Sequence, residues 1–364
     1  MRSLHSSHRL LSYGYTGASF TGATEAIITG TTTAAAGSVP VIIKTAWSGS
    51  VGGVFTVVTQ GPVPNPAANP PITAGWLVNT TPTLPGGAPN APLTFDPPVT
   101  ADIAMSDSFQ SSTPYTSPAL HDTVVGVVPF VWVRNNGAPA TLSNMTNQLA
   151  KAVLNNPGIP LSQFTANPAD AATLVYASGR NNDSGTRLDA FAESFFGIGT
   201  APVQVDGSGT TDPAADTVVA GAWVAGVDGI AFWDAAAGYS SGGTLASEMN
   251  ATGSNTVLPG WLVTYLGIND SNSVNGGAND MTYDGVAYSV PAVQQGEYSF
   301  WSYEHLLYRV APGPNPLLPP ASTVANALAT QIHNVNAANS GIVVTTMTVG
   351  RAVEGGVIVP PNPY

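Results

Sequence analysis

The sequence predicts an α/β fold in two lobes, each lobe a mostly parallel sheet flanked by helices. Short β-branched apolar runs alternate with segments of helical period, which is the pattern of strand and helix units that build parallel sheets. At 364 residues the chain also exceeds the usual size of one domain.

The first apolar run, "SVPVIIKTAW" (38–47), reads as a buried strand followed by the turn "SGSVGG", with a helix from about Gly52. Residues 61–98 are rich in proline, which removes amide donors and restricts the preceding residue, so this stretch reads as a surface excursion. "ADIAMSDSFQ" (101–110) reads as a short strand ending at Ser106 and Asp107, and "DTVVGVVPFVWVRN" (122–135) as a long strand with an internal proline. In "TLSNMTNQLAKAVLNN" (141–156) Leu142, Met145, Leu149 and Val153 keep helical spacing up to Pro157-Gly158. "DAATLVYASGR" is the next strand, and Ser184 opens a helix that presents Leu188, Phe191, Ala192, Phe195 and Phe196 on one face and stops at Gly197. Beyond it come "GIAFWD", a short helix in "TLASEMN", a strand in "WLVTYLGIND", a long strand in "EYSFWSYEHLLYRV", a helix in "STVANALATQIHNV" and a terminal strand in "GIVVTTMTVGRAV".

Composition excludes several classes of function. Only 8% of residues are charged, against roughly 25% in ordinary globular chains, and the formal net charge is -12 with nine Lys plus Arg. A nucleic-acid partner, which needs a cationic face, is not expected. Without cysteine there is no disulfide, thiolate metal site or cysteine nucleophile. No apolar run reaches the roughly 18 residues of a spanning helix, and no metal-ligand spacing, nucleophile elbow or phosphate-binding P-loop motif is present. No catalytic residue, cofactor or metal is therefore expected. The aromatic set Tyr298, Phe300, Trp301 and Tyr303 reads as core packing, and Glu304-His305 as structural hydrogen bonding on a strand between lobes.

The stretch "ASGRNNDSGTRLDAFAESFFG" (177–197) carries the clearest chemistry. The first turn of a helix leaves amides unpaired at the positive end of the helix dipole, which suits an oxyanion. Ser184 can cap that turn, Gly185 lets the backbone approach a ligand, Thr186 adds a hydroxyl, and Arg180 offers a planar fork. The plainer alternative is a helix cap with Arg180 paired to Asp183 or Asp189 on the surface. Ser48 and Ser50 in "WSGSVGG" supply a second glycine turn, alternatively structural. Asp107 can accept a hydrogen bond from a protonated anion while repelling a fully ionised one, and is otherwise a turn residue.

Taken in order, the glycine turn, the Ser-Asp strand end and the strand-R-x-x-x-S-G-T-helix element resemble the phosphate-type substrate-binding proteins of ABC transporters, within the type II periplasmic-binding-protein superfamily. The resemblance runs from about Val39 to the C-terminus. It implies a two-lobed fold with lobe one at 1–123 and 300–364, lobe two at 124–299, and two strands crossing between them. It also implies phosphate or a similar oxyanion bound in the interlobe cleft by Ser48 or Ser50, Asp107, Arg180, Ser184, Gly185 and Thr186, a periplasmic or extracellular location, and an ABC permease as partner. The family has a further ligand loop after its first strand. "MRSLHSSHRLL" resembles the remainder of the helix that follows that loop, so the signal peptide, first strand and first loop are expected upstream; Thr16 and Ser19 are poor substitutes. A non-enzymatic receptor is the leading reading, and the alternative is a secreted or surface protein that assembles with itself and reuses the binding fold.

Overall fold

A computed structural model describes residues 12–32, 38–47, 49–60, 76–92, 94, 101–206, 231–232, 238–251, 260–336 and 341–360. The chain begins with strands β1 (Ser12–Tyr15), β2 (Glu25–Thr31) and β3 (Pro40–Ala46), then helix α1 (Ser50–Thr59) and strands β4 (Leu84–Pro85), β5 (Ile103–Ser106) and β6 (Leu120–Arg134). After β7 (Asn144–Met145) come α2 (Asn147–Asn155), β8 (Ile159–Pro160), α3 (Ser162–Thr165), β9 (Leu174–Ala177) and α4 (Gly185–Glu193). The remaining elements are β10 (Val205–Asp206), β11 (Ala231–Phe232), α5 (Gly242–Ala251), β12 (Gly260–Gly267), α6 (Ile268–Ser271), β13 (Thr282–Tyr283), α7 (Val290–Gln295), β14 (Trp301–Arg309) and α8 (Ala321–Gln331).

The α/β class stands, with sheets flanked by helices, and a six-stranded sheet in the order β5-β14-β6-β12-β9-β8 forms its centre. Strand β6 builds this sheet by changing partners. Leu120–Pro129 pair with β14, and Phe130–Arg134 pair with β12. The change falls at Pro129, which has no amide to donate to a ladder. A bulge opposite Glu304 and His305 leaves Val125 as the extra residue on β6.

The sense of pairing differs from the mostly parallel expectation. Within the six-stranded sheet only β9 and β12 run parallel among the described pairs; β5–β14, β14–β6, β6–β12 and β8–β9 are antiparallel. The cause is that β6 carries the chain out and β14 carries it back, so the neighbours at the centre run in opposite directions.

"SVPVIIKTAW" also departs from expectation. It forms β3, an edge strand of a four-stranded antiparallel sheet ordered β3-β2-β1-β4, with Ile42 51% exposed rather than buried. Three consecutive segments of β-forming residues joined by short connections pair with one another there before the chain reaches the central sheet. Among the described residues the Pro-rich excursion contributes the two-residue β4 at the edge of that sheet, where proline is tolerated, and a bridge from Ala88 to Gly14; its residues 61–75, 93 and 95–98, like residues 1–11, lie outside the described residues. The expected terminal strand in 341–353 is instead a 3-10 turn at Val344–Thr346 with bridges from Ile342 to Val127 and from Gly350 to Val359.

The core is aromatic. Trp132, Phe130, Tyr265, Tyr298, Phe300, Trp301 and Tyr303 are all fully buried around β6, β12 and β14. Burying each such side chain contributes about 2–3 kcal/mol. Leu142, Met145 and Val153 of the predicted helical face are buried as well, although the helix itself begins only at Asn147, where the Thr146 hydroxyl accepts from the Leu149 amide. His305 Nδ1 donates to the Asp122 carboxylate at 2.7 Å, a structural contact between β14 and β6.

Candidate functional site

The N-termini of α1 and α4 meet beyond the end of β5, and Arg180, after β9, links them to the start of α5 beside the end of β12. Each of these helix starts is met by an oxygen atom of the protein itself.

The sequence before α4 makes the first. Ser184 is its N-cap, and its hydroxyl accepts from the Arg187 amide at 3.2 Å. Asp107, at the end of β5, lays its carboxylate against this turn: Thr186 Oγ1 donates to Oδ2 at 3.2 Å, and a Cβ added to Gly185 would lie 1.6 Å from Oδ1. Glycine at 185 permits this close approach, since a side chain there would meet the Asp107 carboxylate unless that carboxylate moved. The Asp107 amide donates to Ser50 Oγ at 3.1 Å, which ties the strand end to α1. Burial raises the Asp107 pKa, against the lowering effect of Ser50, Arg180 and Thr186.

The second terminus belongs to α1. Its N-cap Gly49 carries no capping side chain, and the amides of Val51 and Gly52 donate to the Asp183 carbonyl at 3.0 and 3.3 Å. A Cβ at Gly49 would lie 1.9 Å from that same oxygen. The loop ahead of α4 thus closes the first turn of α1.

Arg180 leads to the third. It is buried rather than on the surface, and its Nε and Nη2 donate to the carbonyls of Tyr239 and Ser240 at 3.0 and 2.9 Å. Its amide donates to Tyr265 Oη at 3.3 Å, and the Arg180 carbonyl accepts from Arg187 Nη1 at 2.8 Å. The Asp270 carboxylate stands at the start of α5, where a Cβ on Gly242 would lie 1.9 Å from Asp270 Oδ2 and 3.5 Å from Arg180 Nη1. Ser241 Oγ accepts from the Thr244 amide in the same turn. Burial lowers the Arg180 pKa, while Tyr265, Asp107, Asp270 and Asp183 oppose that shift. Burial likewise raises Asp270, and Arg180 lowers it.

Of the sequence-predicted site residues, Ser50, Asp107, Arg180, Ser184, Gly185 and Thr186 therefore lie on segments that meet, with Ser184 acting as a cap. Ser48 lies outside the described residues. Sequence reasoning missed Asp270 and the turn "YSSGGT" at 239–244, although the latter repeats the small, hydroxyl-rich signature of "WSGSVGG". It also missed the Asp183 carbonyl, since a backbone acceptor has no signature in sequence.

No protein-family model and no curated protein matches the chain. In fold it is similar to solved receptors. An ABC-type phosphate transport receptor from Vibrio cholerae is 15% identical with a TM-score of 0.40, over 66% of this chain and 76% of that one. A putative phosphate ABC transporter substrate-binding protein with bound phosphate, from Clostridium perfringens, is 13% identical with a TM-score of 0.43, over 67% and 79%. PstS from Borrelia burgdorferi is 14% identical with a TM-score of 0.33, over 61% and 76%. At TM-scores below 0.5 these likenesses carry no weight for the ligand or for the role of any residue.

The donor set itself limits the chemistry. Helix-terminal amides, hydroxyls and a guanidinium are fitted to hold a small anion by charge-assisted hydrogen bonds. Among the described residues no group of three or more His, Cys, Asp or Glu side chains is arranged to hold a metal ion, and no helix is long and apolar enough to cross a membrane.

Proposed function

We propose that the protein is a solute-binding protein that captures a small oxyanion, phosphate first, between the Ser50/Asp107 side and the Arg180/Ser184-Gly185-Thr186 side. The observation that supports this reading is the convergence of α1 and α4, from segments far apart in sequence, on the Asp107 carboxylate, with the charge of the buried Arg180 acting to lower the Asp107 pKa. In this reading the Asp107 carboxylate at α4 and the Asp183 carbonyl at α1 hold the places an oxyanion takes up on binding. Ligand entry then exchanges an internal acceptor for an external one, so affinity reflects the difference between the two. Asp107, displaced from Gly185, becomes the acceptor for a proton carried by the ligand and disfavours anions that carry none.

The two-lobe division at 123/124 and 299/300 belongs to this proposal, with the hinge where β6 changes partner and β14 returns. So do a location outside the cytoplasm and delivery of the ligand to an ABC permease. Titration calorimetry with inorganic phosphate tests the reading. Binding heat in the parent that disappears in Arg180→Ala, when that variant still melts cooperatively, supports it. Absence of heat at millimolar phosphate rejects it.

One observation favours a second reading. Because the first turns of α1 and α4 are already met by Asp183 and Asp107, the same contacts serve as a lock for a surface protein that assembles with itself. Self-association unaffected by Arg180→Ala, together with no phosphate-dependent rise in melting temperature, selects this alternative.

A further inference from the structure

We propose that the loop at residues 350–356 is a clamp that sets the distance between Asp107 and the first turn of α4, with Glu354 and Arg351 as positioning residues. The proposal extends the oxyanion reading above and rests on it.

The loop is closed on itself by paired backbone hydrogen bonds between Gly350 and Val359. From this closed loop Arg351 and Glu354 reach two different parts of the molecule. Arg351 is buried, forms an ion pair with Glu193 in the last turn of α4, lies 4.0 Å from the Trp301 ring centroid and donates to the Ser299 carbonyl at 2.7 Å. Glu354, also buried, accepts from the Phe109 amide and from the Ser112 hydroxyl, in the turn that follows Asp107. Between them the Gly355 amide donates to Glu193 Oε1 at 3.1 Å. Gly355 has φ +66°, and a Cβ there would lie 2.4 Å from the Ala192 carbonyl oxygen, so the loop is seated backbone to backbone on α4.

Both anchor points lead to the site. Phe109 is two residues from Asp107, and Ser108 between them donates to Asp189 Oδ1 on α4 at 3.3 Å. Asp189 is fully buried with Oδ2 unpartnered, and burial together with Asp107 and Glu354 holds its pKa well above the ordinary carboxylate range. The clamp thereby fixes one end of α4 to the loop that bears Asp107, while the other end of the same helix presents Gly185 and Thr186 to the Asp107 carboxylate.

The full chain has no native cysteine, so Ser111→Cys and Ile198→Cys, both at exposed positions, place one spin-label pair across the clamp. Distances in this background are compared with those after adding Glu354→Ala or Glu354→Gln. Glutamine keeps an acceptor for the Phe109 amide and offers its amide to Ser112, so it should retain a single narrow distance, whereas alanine should broaden the distribution. In parallel, Glu354→Ala should weaken phosphate binding by about tenfold or more and Glu354→Gln by about threefold or less. An unchanged distribution in Glu354→Ala overturns the clamp. So does parental phosphate affinity in that variant. Broadening in Glu354→Ala reversed in Glu354→Gln, with a parent that binds no phosphate, supports the clamp as a mechanical element and rejects the oxyanion reading instead.

Discussion

The first turns of α1 and α4 lie against one another, yet they are satisfied by different means. α4 opens with a serine that caps its own helix, so its first turn is formed by local sequence. α1 opens with Gly49 and takes its cap from the Asp183 carbonyl, more than a hundred residues away in sequence. A helix capped by its own residue keeps that cap when its surroundings move. A helix capped by another segment loses its cap when the two segments part, so the start of α1 is the place where separation of the two sides of the site is felt most directly. If an oxyanion replaces the Asp183 carbonyl, α1 is the helix that gains.

The strongest way to break this comparison is Gly49→Ala. The added methyl would meet the Asp183 carbonyl oxygen at 1.9 Å and the Ser184 amide nitrogen at 2.8 Å, both of them backbone atoms that cannot swing aside. We expect a loss of about 3 kcal/mol in urea unfolding, in the range of overpacking in a close-packed interior. Gly185→Ala provides the contrast: its nearest neighbour is the Asp107 carboxylate, a side chain able to rotate, and the loss should be about 1–2 kcal/mol. Equal losses would contradict the distinction between the two turns.

Arg180→Ala comes next. It removes the guanidinium donor from the Ser240 carbonyl and leaves the Tyr239 carbonyl with the Asn181 amide, which should cost about 2 kcal/mol. Chemical denaturation measures that cost, and the phosphate-dependent rise in melting temperature should vanish at the same time. Arg180→Lys keeps the charge without the planar fork and should lose the ligand effect as well.

A pH titration then separates the site from the rest of the fold. Burial, reinforced by Asp107, pushes Glu304 up to about 8. The folded chain keeps this proton where the unfolded chain has released it, so stability is fully present below the usual carboxylate pKa and falls as pH rises toward about 8. Glu25 and Asp280, raised by burial to about 7 and about 6, slope in the same direction at lower pH. Glu304→Gln should therefore lower the slope from the usual carboxylate pKa up to about 8, and between about pH 7 and about pH 8, where Glu304 acts alone, it should remove on the order of 1 kcal/mol, as read from urea midpoints across that range. An unchanged slope between about pH 7 and about pH 8 would show that Glu304 ionises normally.

Much of α4 and its neighbourhood was legible because the signals there are local, a Ser-Gly-Thr opening and an apolar face at helical spacing, but the helix ends at Glu193 rather than at Gly197, and Phe195, expected on that face, is exposed with a left-handed backbone. The long strands β6 and β14 were legible through apolar length. What escaped was everything that depends on a partner distant in sequence. "SVPVIIKTAW" has the composition of a buried strand, and its place at a sheet edge is decided by the two strands before it. "GIVVTTMTVGRAV" has strand composition but makes only bridges, since Arg351 and Glu354 draw the chain toward α4 and the loop after β5. The residues that could contact an anion were legible by type, whereas their internal occupants, the Asp183 carbonyl above all, were not.

The smallest effect sharpens the comparison from the side of α4. Ser184→Ala removes the hydroxyl that accepts from the Arg187 amide and should cost about 1 kcal/mol, whereas Ser184→Gly should cost only a few tenths more than nothing, because a glycine at this position opens the amide to other partners. At α1 the same position is already glycine, and its partner is the Asp183 carbonyl. If α4 with Ser184→Gly behaves as α1 does, its amides should turn to an external oxyanion, and phosphate should then stabilise Ser184→Gly at least as much as the parent and more than Ser184→Ala. Melting temperatures of the three proteins with and without phosphate decide this. An order in which Ser184→Ala gains most would mean that the hydroxyl competes with the ligand instead of preparing its place.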